Sequence, residues 1–150
     1  MVAPFRKTQN TGWYRFKVGE FECTAIWDGR LDQPYEGIYP NADPKELARL
    51  VKKYRLPIDH IPMDLNVLVV NTGRDIILVD PGMGTTSKMF GTGMGLMVDN
   101  LEAAGIDPDD VDLVLVTHLH PDHCYGLVGA GNAPTFKNAR VGCTKLEWDY

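Results

Sequence analysis

Three of the chain's four histidines and one aspartate lie within six consecutive positions, in the stretch HLHPDH over residues 118–123. Imidazole and carboxylate groups together suit zinc first, and then iron, manganese or cobalt. If the chain is extended here, His118 and His120 point to the same side and can reach one metal ion. The proline that follows breaks the extended run, so that Asp122 and His123 can flank that ion or bind a second one. Metal ions held in this way can supply hydroxide near neutral pH and polarise a carbonyl or phosphoryl oxygen.

The neighbouring elements predict that this cluster lies at the end of a buried strand. The apolar run DLVLV over residues 112–116 does not alternate with polar residues, which is typical of a strand buried on both faces. A helix is predicted before it, over 95–106, with Gly105 as its C-terminal stop signal. Alternating strands and helices indicate an α/β fold, in which ligands usually bind at the carboxyl ends of the strands.

The other segments carry local signals of their own. Gly19 lies between two runs of aromatic and β-branched residues and predicts a hairpin, and Asp43 before Pro44 predicts a helix start. Thr144, with Glu147 three residues later, predicts a capped helix that has only begun when the chain stops. We therefore expect a domain that is truncated at its C-terminus. In chain order we predict two strands within 13–29, a loop over 28–42, a helix over 43–54, strands over 63–73 and 75–82, a glycine-rich connection over 83–91 and a strand over 139–143.

Composition limits the class of protein. The chain has 150 residues, of which 44% are hydrophobic and 23% charged, as expected of one globular domain. Its formal net charge of -5 argues against nucleic acid or an anionic membrane as the main partner. The sequence contains neither a secretory signal nor a membrane-spanning run, and its three cysteines form no C-x-x-C pair. We therefore expect a cytoplasmic protein with a small-molecule substrate, and the sequence leaves a homo-oligomer open.

The motif H-x-H-x-D-H resembles the signature of the metallo-β-lactamase fold superfamily of hydrolases. The segment LVDPGMG over 78–84 resembles the Asp-x-Gly strand end that precedes the signature in that family. The segments over 14–29 and 138–150 resemble the branch that contains lactonases and methyl parathion hydrolase-type enzymes. The resemblance implies an αβ/βα sandwich of which residues 1–150 form only the N-terminal αβ half. Within that half, 1–27 would be a leading hairpin and 63–150 the metal-binding part.

The resemblance also implies a role for each site residue. His118 and His120 would bind the first metal ion, and Asp122 and His123 the second, with two zinc ions in the complete domain. Asp122 would act as the catalytic residue by orienting the attacking water. Asp80 would support the ligands from behind, although an aspartate that merely forms the turn before Pro-Gly explains that position equally well.

Two departures from the family pattern keep alternatives open. The family's remaining ligands, two histidines and a bridging aspartate, belong to a second half, and no histidine follows His123 in this chain. One hypothesis is a metal-dependent hydrolase of an ester, lactone or phosphotriester, with β-lactamase or thioester hydrolase activity as a variant. Its rival is an incomplete, non-catalytic metal-binding fragment that needs a completing partner. The family commonly has a small residue and then Gly-Gly after the last histidine, where this chain has Cys124, Tyr125 and Gly126. The cysteine is a soft ligand, a redox-sensitive thiol or a small space-filling residue, and Tyr125 lines the pocket or packs. His60 has no clustered partner and is interpreted as an ordinary polar residue.

Overall fold

A computed structural model describes residues 11–89 and 93–150 of the chain. Its core is a six-stranded mixed sheet whose strands follow one another in chain order. The first four strands run antiparallel to one another in sequence. The fifth strand lies parallel beside the fourth, and the sixth lies parallel beside the fifth. The strands are β1 (Trp13–Val18), β2 (Phe21–Pro34), β3 (His60–Asn71), β4 (Ile76–Val79), β5 (Leu113–Val116) and β6 (Arg140–Cys143). The helices are α1 (Tyr35–Ile38), α2 (Pro44–Tyr54), α3 (Met97–Ala103), α4 (Pro121–Cys124) and α5 (Lys145–Asp149).

This layout confirms the predicted α/β class and most of the local signals. The hairpin turns at Gly19, which has a positive φ of 59°. Helix α2 starts at the predicted cap, where the Asp43 carboxylate accepts a hydrogen bond from the Lys45 amide. Within the described ranges, no helix has the length and apolarity that crossing a bilayer requires. The leading hairpin and the glycine-rich connection fall partly on residues 1–10 and 90–92, which lie outside the described residues.

The loop predicted over 28–42 is wrong in its first part, because β2 continues through it. The register of β2 on β3 shifts between Trp27 and Gly29, and the ladder then runs on to pair Pro34 with His60. This bulge depends on Gly29, whose φ is 122° and whose added Cβ would lie 2.0 Å from the Gly93 carbonyl oxygen. Strand β2 therefore continues through Asp28 and Gly29, although both residue types favour a loop.

The sheet buries one face much more completely than the other. On the covered face, side chains of β2 to β5 pack against Met97 and Leu101 of α3 in a single apolar cluster. Val114 of β5 belongs to this cluster and is fully buried, whereas Leu115 is 39% exposed on the opposite face and Leu68 of β3 is 37% exposed. The prediction that β5 is buried on both faces is therefore wrong for this chain, although both faces are apolar.

The three parallel strands bring the functional segments to one edge of the sheet. Val79 at the end of β4 pairs with Leu115, and Val116 at the end of β5 pairs with Cys143 at the end of β6. The chain therefore leaves the sheet in three neighbouring segments, which begin at residues 80, 117 and 144. The histidine cluster occupies the middle segment.

Candidate metal centre

The structure brings the four residues of the predicted cluster together in a single turn of chain. His120 is extended, with φ of -70° and ψ of 151°, and α4 begins at the next residue, a proline. The His118 and His120 rings lie 4.7 Å apart between centroids, and the His118 and His123 rings lie 3.9 Å apart. The Asp122 carboxylate lies 3.5 Å from Nε2 of His123. The break in the extended run therefore turns the second pair of residues back toward the first.

Asp80 holds this turn from the end of the neighbouring strand. Its Oδ1 accepts a hydrogen bond from the Thr117 amide at 2.7 Å, and its Oδ2 accepts one from the Thr117 hydroxyl at 2.7 Å. Its Oδ2 also lies 2.9 Å from Nδ1 of His123. Burial raises the pKa of Asp80, but the hydrogen bonds from Thr117 and His123 outweigh it and hold the pKa below its usual value. Asp80 also adopts a positive φ of 56°, so it forms the turn as well as supporting the cluster.

These hydrogen bonds determine which ring nitrogens are available to a ligand. The Thr117 hydroxyl donates to Asp80, so its oxygen accepts from Nδ1 of His118, 3.1 Å away. Nδ1 of His123 donates to Asp80 in the same way. When each ring is neutral, Nε2 therefore carries the free lone pair, which is the form of imidazole that binds a metal.

The residues fit a metal ion by their chemistry. Ligands at about 2.0–2.2 Å from a tetrahedral zinc lie about 3.3 Å from one another. Nε2 of His123 and Oδ2 of Asp122, at 3.5 Å, already have nearly this separation. Among residues 11–89 and 93–150, however, no three side chains of histidine, cysteine, aspartate or glutamate form a preformed metal site. Within the described residues, the structure thus places Asp122 and His123 at nearly the spacing of two ligands but does not assemble a complete set of donors.

The side chains next to the cluster help to pack it. The Cys124 thiol lies 3.5 Å from the Leu119 carbonyl oxygen, to which it donates, and packs beside the apolar core. Burial, with added repulsion from Asp122 and Asp80, raises the pKa of this thiol and favours its neutral form. These contacts support the space-filling interpretation of Cys124 over that of a soft ligand. Tyr125 is 39% exposed.

His60 pairs with carboxylates that do not belong to the motif, Asp59 and Asp32. Its Nδ1 is 2.8 Å from the carboxylate of Asp59. It therefore has a polar partner of its own, as its interpretation from the sequence requires.

The structure also reveals a residue that the sequence did not single out, Asp28. It is fully buried in the β2 bulge, and its two oxygens each accept a backbone hydrogen bond at 2.9 Å, from Met83 and Met97. Burial raises the pKa of Asp28, and these backbone hydrogen bonds oppose the rise. A Cβ added to Gly82 would lie 2.4 Å from its Oδ2, so the turn after Asp80 rests directly on this carboxylate. The available signal was an aspartate placed directly after the apolar run AIW over residues 25–27.

Comparison with known proteins identifies the family. The sequence profile of the Metallo-beta-lactamase superfamily matches residues 61–142, more than half of the chain and including the whole cluster. The chain belongs to the metallo-β-lactamase superfamily. The family and the fold class that the HLHPDH motif predicted are thus confirmed.

Solved structures and curated relatives add detail. One similar structure is described as AidC, a dizinc quorum-quenching lactonase in complex with a product, with a TM-score of 0.84 and 31% identity over 92% of this chain and 46% of that chain. A second, the hydrolase AbOPH, has a TM-score of 0.84 and 31% identity over 95% of this chain and 47% of that chain. Among curated proteins, ribonuclease Z of Nocardia farcinica is 34% identical over 64 residues, 43% of this chain and 17% of its own length. The chain thus spans about half of the similar structures and less than a fifth of this relative.

Proposed function

We propose that this chain carries the metal-binding part of a hydrolase that acts on an ester, lactone or phosphotriester. The observation that carries the proposal is the hydrogen-bonded chain from Asp80 through Thr117 to His118, with its branch to His123. It fixes two rings of the motif with Nε2 free. Support for the substrate class comes from the similar structures, which are described as a lactonase and a hydrolase.

The roles follow from the donor set. His118 and His120 would hold one metal ion, and Asp122 and His123 a second, with zinc as the ion that best suits these ligands. Such ions, when bound, lower the pKa of a water molecule and polarise the substrate oxygen under attack. Asp122 is the catalytic residue of the set, because its second carboxylate oxygen can accept a proton and orient the attacking water. Asp80 keeps the His123 ring in the required orientation.

The rival function is that of a half-domain that needs a completing partner. The apolar side chains of Leu68 and Leu115 are more than a third exposed on the open face of the sheet, and the similar structures are about twice as long as this chain. In this case the cluster binds metal but turns over little substrate, because catalytic zinc normally has three protein ligands. Binding of a second sheet to the open face would then restore activity.

A hydrolysis panel distinguishes these functions. The zinc-loaded 150-residue chain and its Asp122→Asn variant are tested with an acyl homoserine lactone, paraoxon, a thioester and nitrocefin. Turnover of the lactone or paraoxon that Asp122→Asn abolishes supports the hydrolase. Zinc binding with no turnover of any substrate supports the half-domain. A structured RNA is included because of the match to ribonuclease Z, and its specific cleavage would overturn the small-molecule proposal.

A further inference from the structure

The loop that carries the metal ligands is bordered on both sides by strand ends. Asp80, at the end of β4, binds the backbone and side chain of Thr117 on one side. On the other side, β6 ends at Cys143, and the chain turns at once into α5. Side chains of α5 are therefore placed to contact the loop from one side, and Asp80 contacts it from the opposite side.

Glu147 makes this contact. The Thr144 hydroxyl accepts a hydrogen bond from the Glu147 amide at 3.2 Å, which is one half of a capping box. In a complete capping box the glutamate side chain would return to the backbone amide of the capping residue. Here Oε1 of Glu147 instead accepts a hydrogen bond from the Leu119 amide at 2.7 Å. The carboxylate thus joins the helix to the ligand loop.

Leu119 is the residue between His118 and His120, so its peptide groups set the spacing of the two imidazoles. Its amide donates to Glu147, and its carbonyl oxygen accepts from the Cys124 thiol. Its side chain is 43% exposed and gives the loop little packing. The amide hydrogen bond to a carboxylate is charge-assisted and therefore stronger than one to a neutral acceptor.

We propose that Glu147 is a positioning residue of the metal centre, which holds the backbone between His118 and His120 so that their rings meet one ion. This inference rests on the proposed function of the cluster. It assigns Glu147 no contact with metal or substrate. Asp80 and Glu147 together clamp the ligand loop from its two neighbouring strand ends, through amides two residues apart.

The test compares three variants of the 150-residue chain. Glu147→Ala removes the acceptor, Glu147→Gln keeps an oxygen that can accept from the Leu119 amide, and Asp149→Ala is the control. Asp149 lies on the same helix and pairs with Lys145, so its removal reproduces the loss of charge and of helix stability without touching the loop. Zinc affinity is measured by competition with a chelator, Leu119 amide hydrogen exchange by NMR, and folding by thermal unfolding.

We expect Glu147→Ala to lower zinc affinity by about tenfold or more, as is typical of residues that support metal ligands, and to speed exchange of the Leu119 amide. The zinc affinity of Glu147→Gln should stay within about threefold of wild type, because the glutamine oxygen still accepts the Leu119 amide and only the charge of the acceptor is lost. Asp149→Ala should match wild type in both measurements.

A purely structural role for Glu147 would give a different pattern. Unchanged zinc affinity in Glu147→Ala, or a loss no larger than in Asp149→Ala, would overturn the inference. So would equal losses in Glu147→Ala and Glu147→Gln, because the hydrogen bond would then not be the cause. Failure of the wild-type chain to bind zinc would overturn the proposed function itself, and the positioning role with it.

Discussion

Replacing Asp28 by asparagine should destabilise the fold although the two side chains have nearly the same shape. Asp28 is fully buried, and its two oxygens accept the amides of Met83 and Met97. Asparagine offers one oxygen and one NH2 group, so one of these amides would face another donor. A buried amide that loses its acceptor costs about 1–3 kcal/mol, and the remaining bond loses its charge assistance. Relief from burying a charge offsets part of this, so we expect a net loss of about 2–3 kcal/mol.

Urea unfolding at pH 7 measures this loss. With a slope of about 1–2 kcal/mol/M, the midpoint of Asp28→Asn should fall by roughly 1–3 M. Glu102→Gln is the matched control, because Glu102 lies exposed on α3 and its replacement makes the same chemical change in solvent. A loss below about 0.5 kcal/mol, or one equal to that of the control, would refute the claim that this carboxylate ties the turn after Asp80 to α3.

Three further predictions concern the loop and the sheet. Gly126→Ala should cost about 1–3 kcal/mol in urea unfolding, because its Cβ would lie 1.8 Å from the Pro81 carbonyl oxygen. Thr117→Val should lower zinc affinity about tenfold in chelator competition, since it removes the hydroxyl that orients the first motif histidine. The hydrogen bond from Arg30 holds the pKa of Asp64 below its usual value of 3.8. The interaction of Asp64 with Arg30 therefore stabilises the fold fully above pH 3.8, and this stabilisation is lost as the pH falls through the lowered pKa. Asp64→Asn should therefore destabilise the chain at pH 7, and urea unfolding should show a smaller difference as the pH approaches 3.

Each of these predictions has its own control. Gly37→Ala introduces a methyl group where nothing lies within 4 Å, so it should leave stability nearly unchanged, and equal losses in the two glycine variants would contradict the steric argument. Thr117→Ser keeps the hydroxyl and should keep zinc affinity, whereas a serine variant as weak as valine would rule out the hydrogen bond. A difference between Asp64→Asn and wild type that grows toward pH 3 would contradict the sign of the pKa shift.

Signals that act over a few residues were readable from the sequence. The glycine at residue 19 predicted the hairpin, the Asp43 cap predicted helix α2, and the apolar run over 112–116 predicted strand β5. The spacing of the motif likewise predicted that His118 and His120 share one side of the chain. These features depend on local backbone preferences and on residue types that are close in sequence.

Contacts between distant segments were not readable in this way. Asp28 bonds to amides 55 and 69 positions away, and Glu147 to one 28 positions away. The capping signal at Thr144 placed Glu147 correctly at the start of a helix but did not indicate that its carboxylate reaches the Leu119 amide. Only the parallel pairing of β5 with β6 brings the Leu119 amide within reach. The continuation of β2 likewise depends on the bulge at Gly29 and on a ladder partner in β3.

The most direct test of the metal centre is nitrogen-15 NMR of the four imidazole side chains during a zinc titration. His60 serves as an internal reference, because it is not part of the motif and its ring pairs with Asp59 and Asp32. We predict that the Nε2 signals of His118 and His123, and a ring nitrogen of His120, shift as zinc is added while those of His60 do not. Shifts confined to His60, equal shifts in all four rings, or none in the motif would contradict the account.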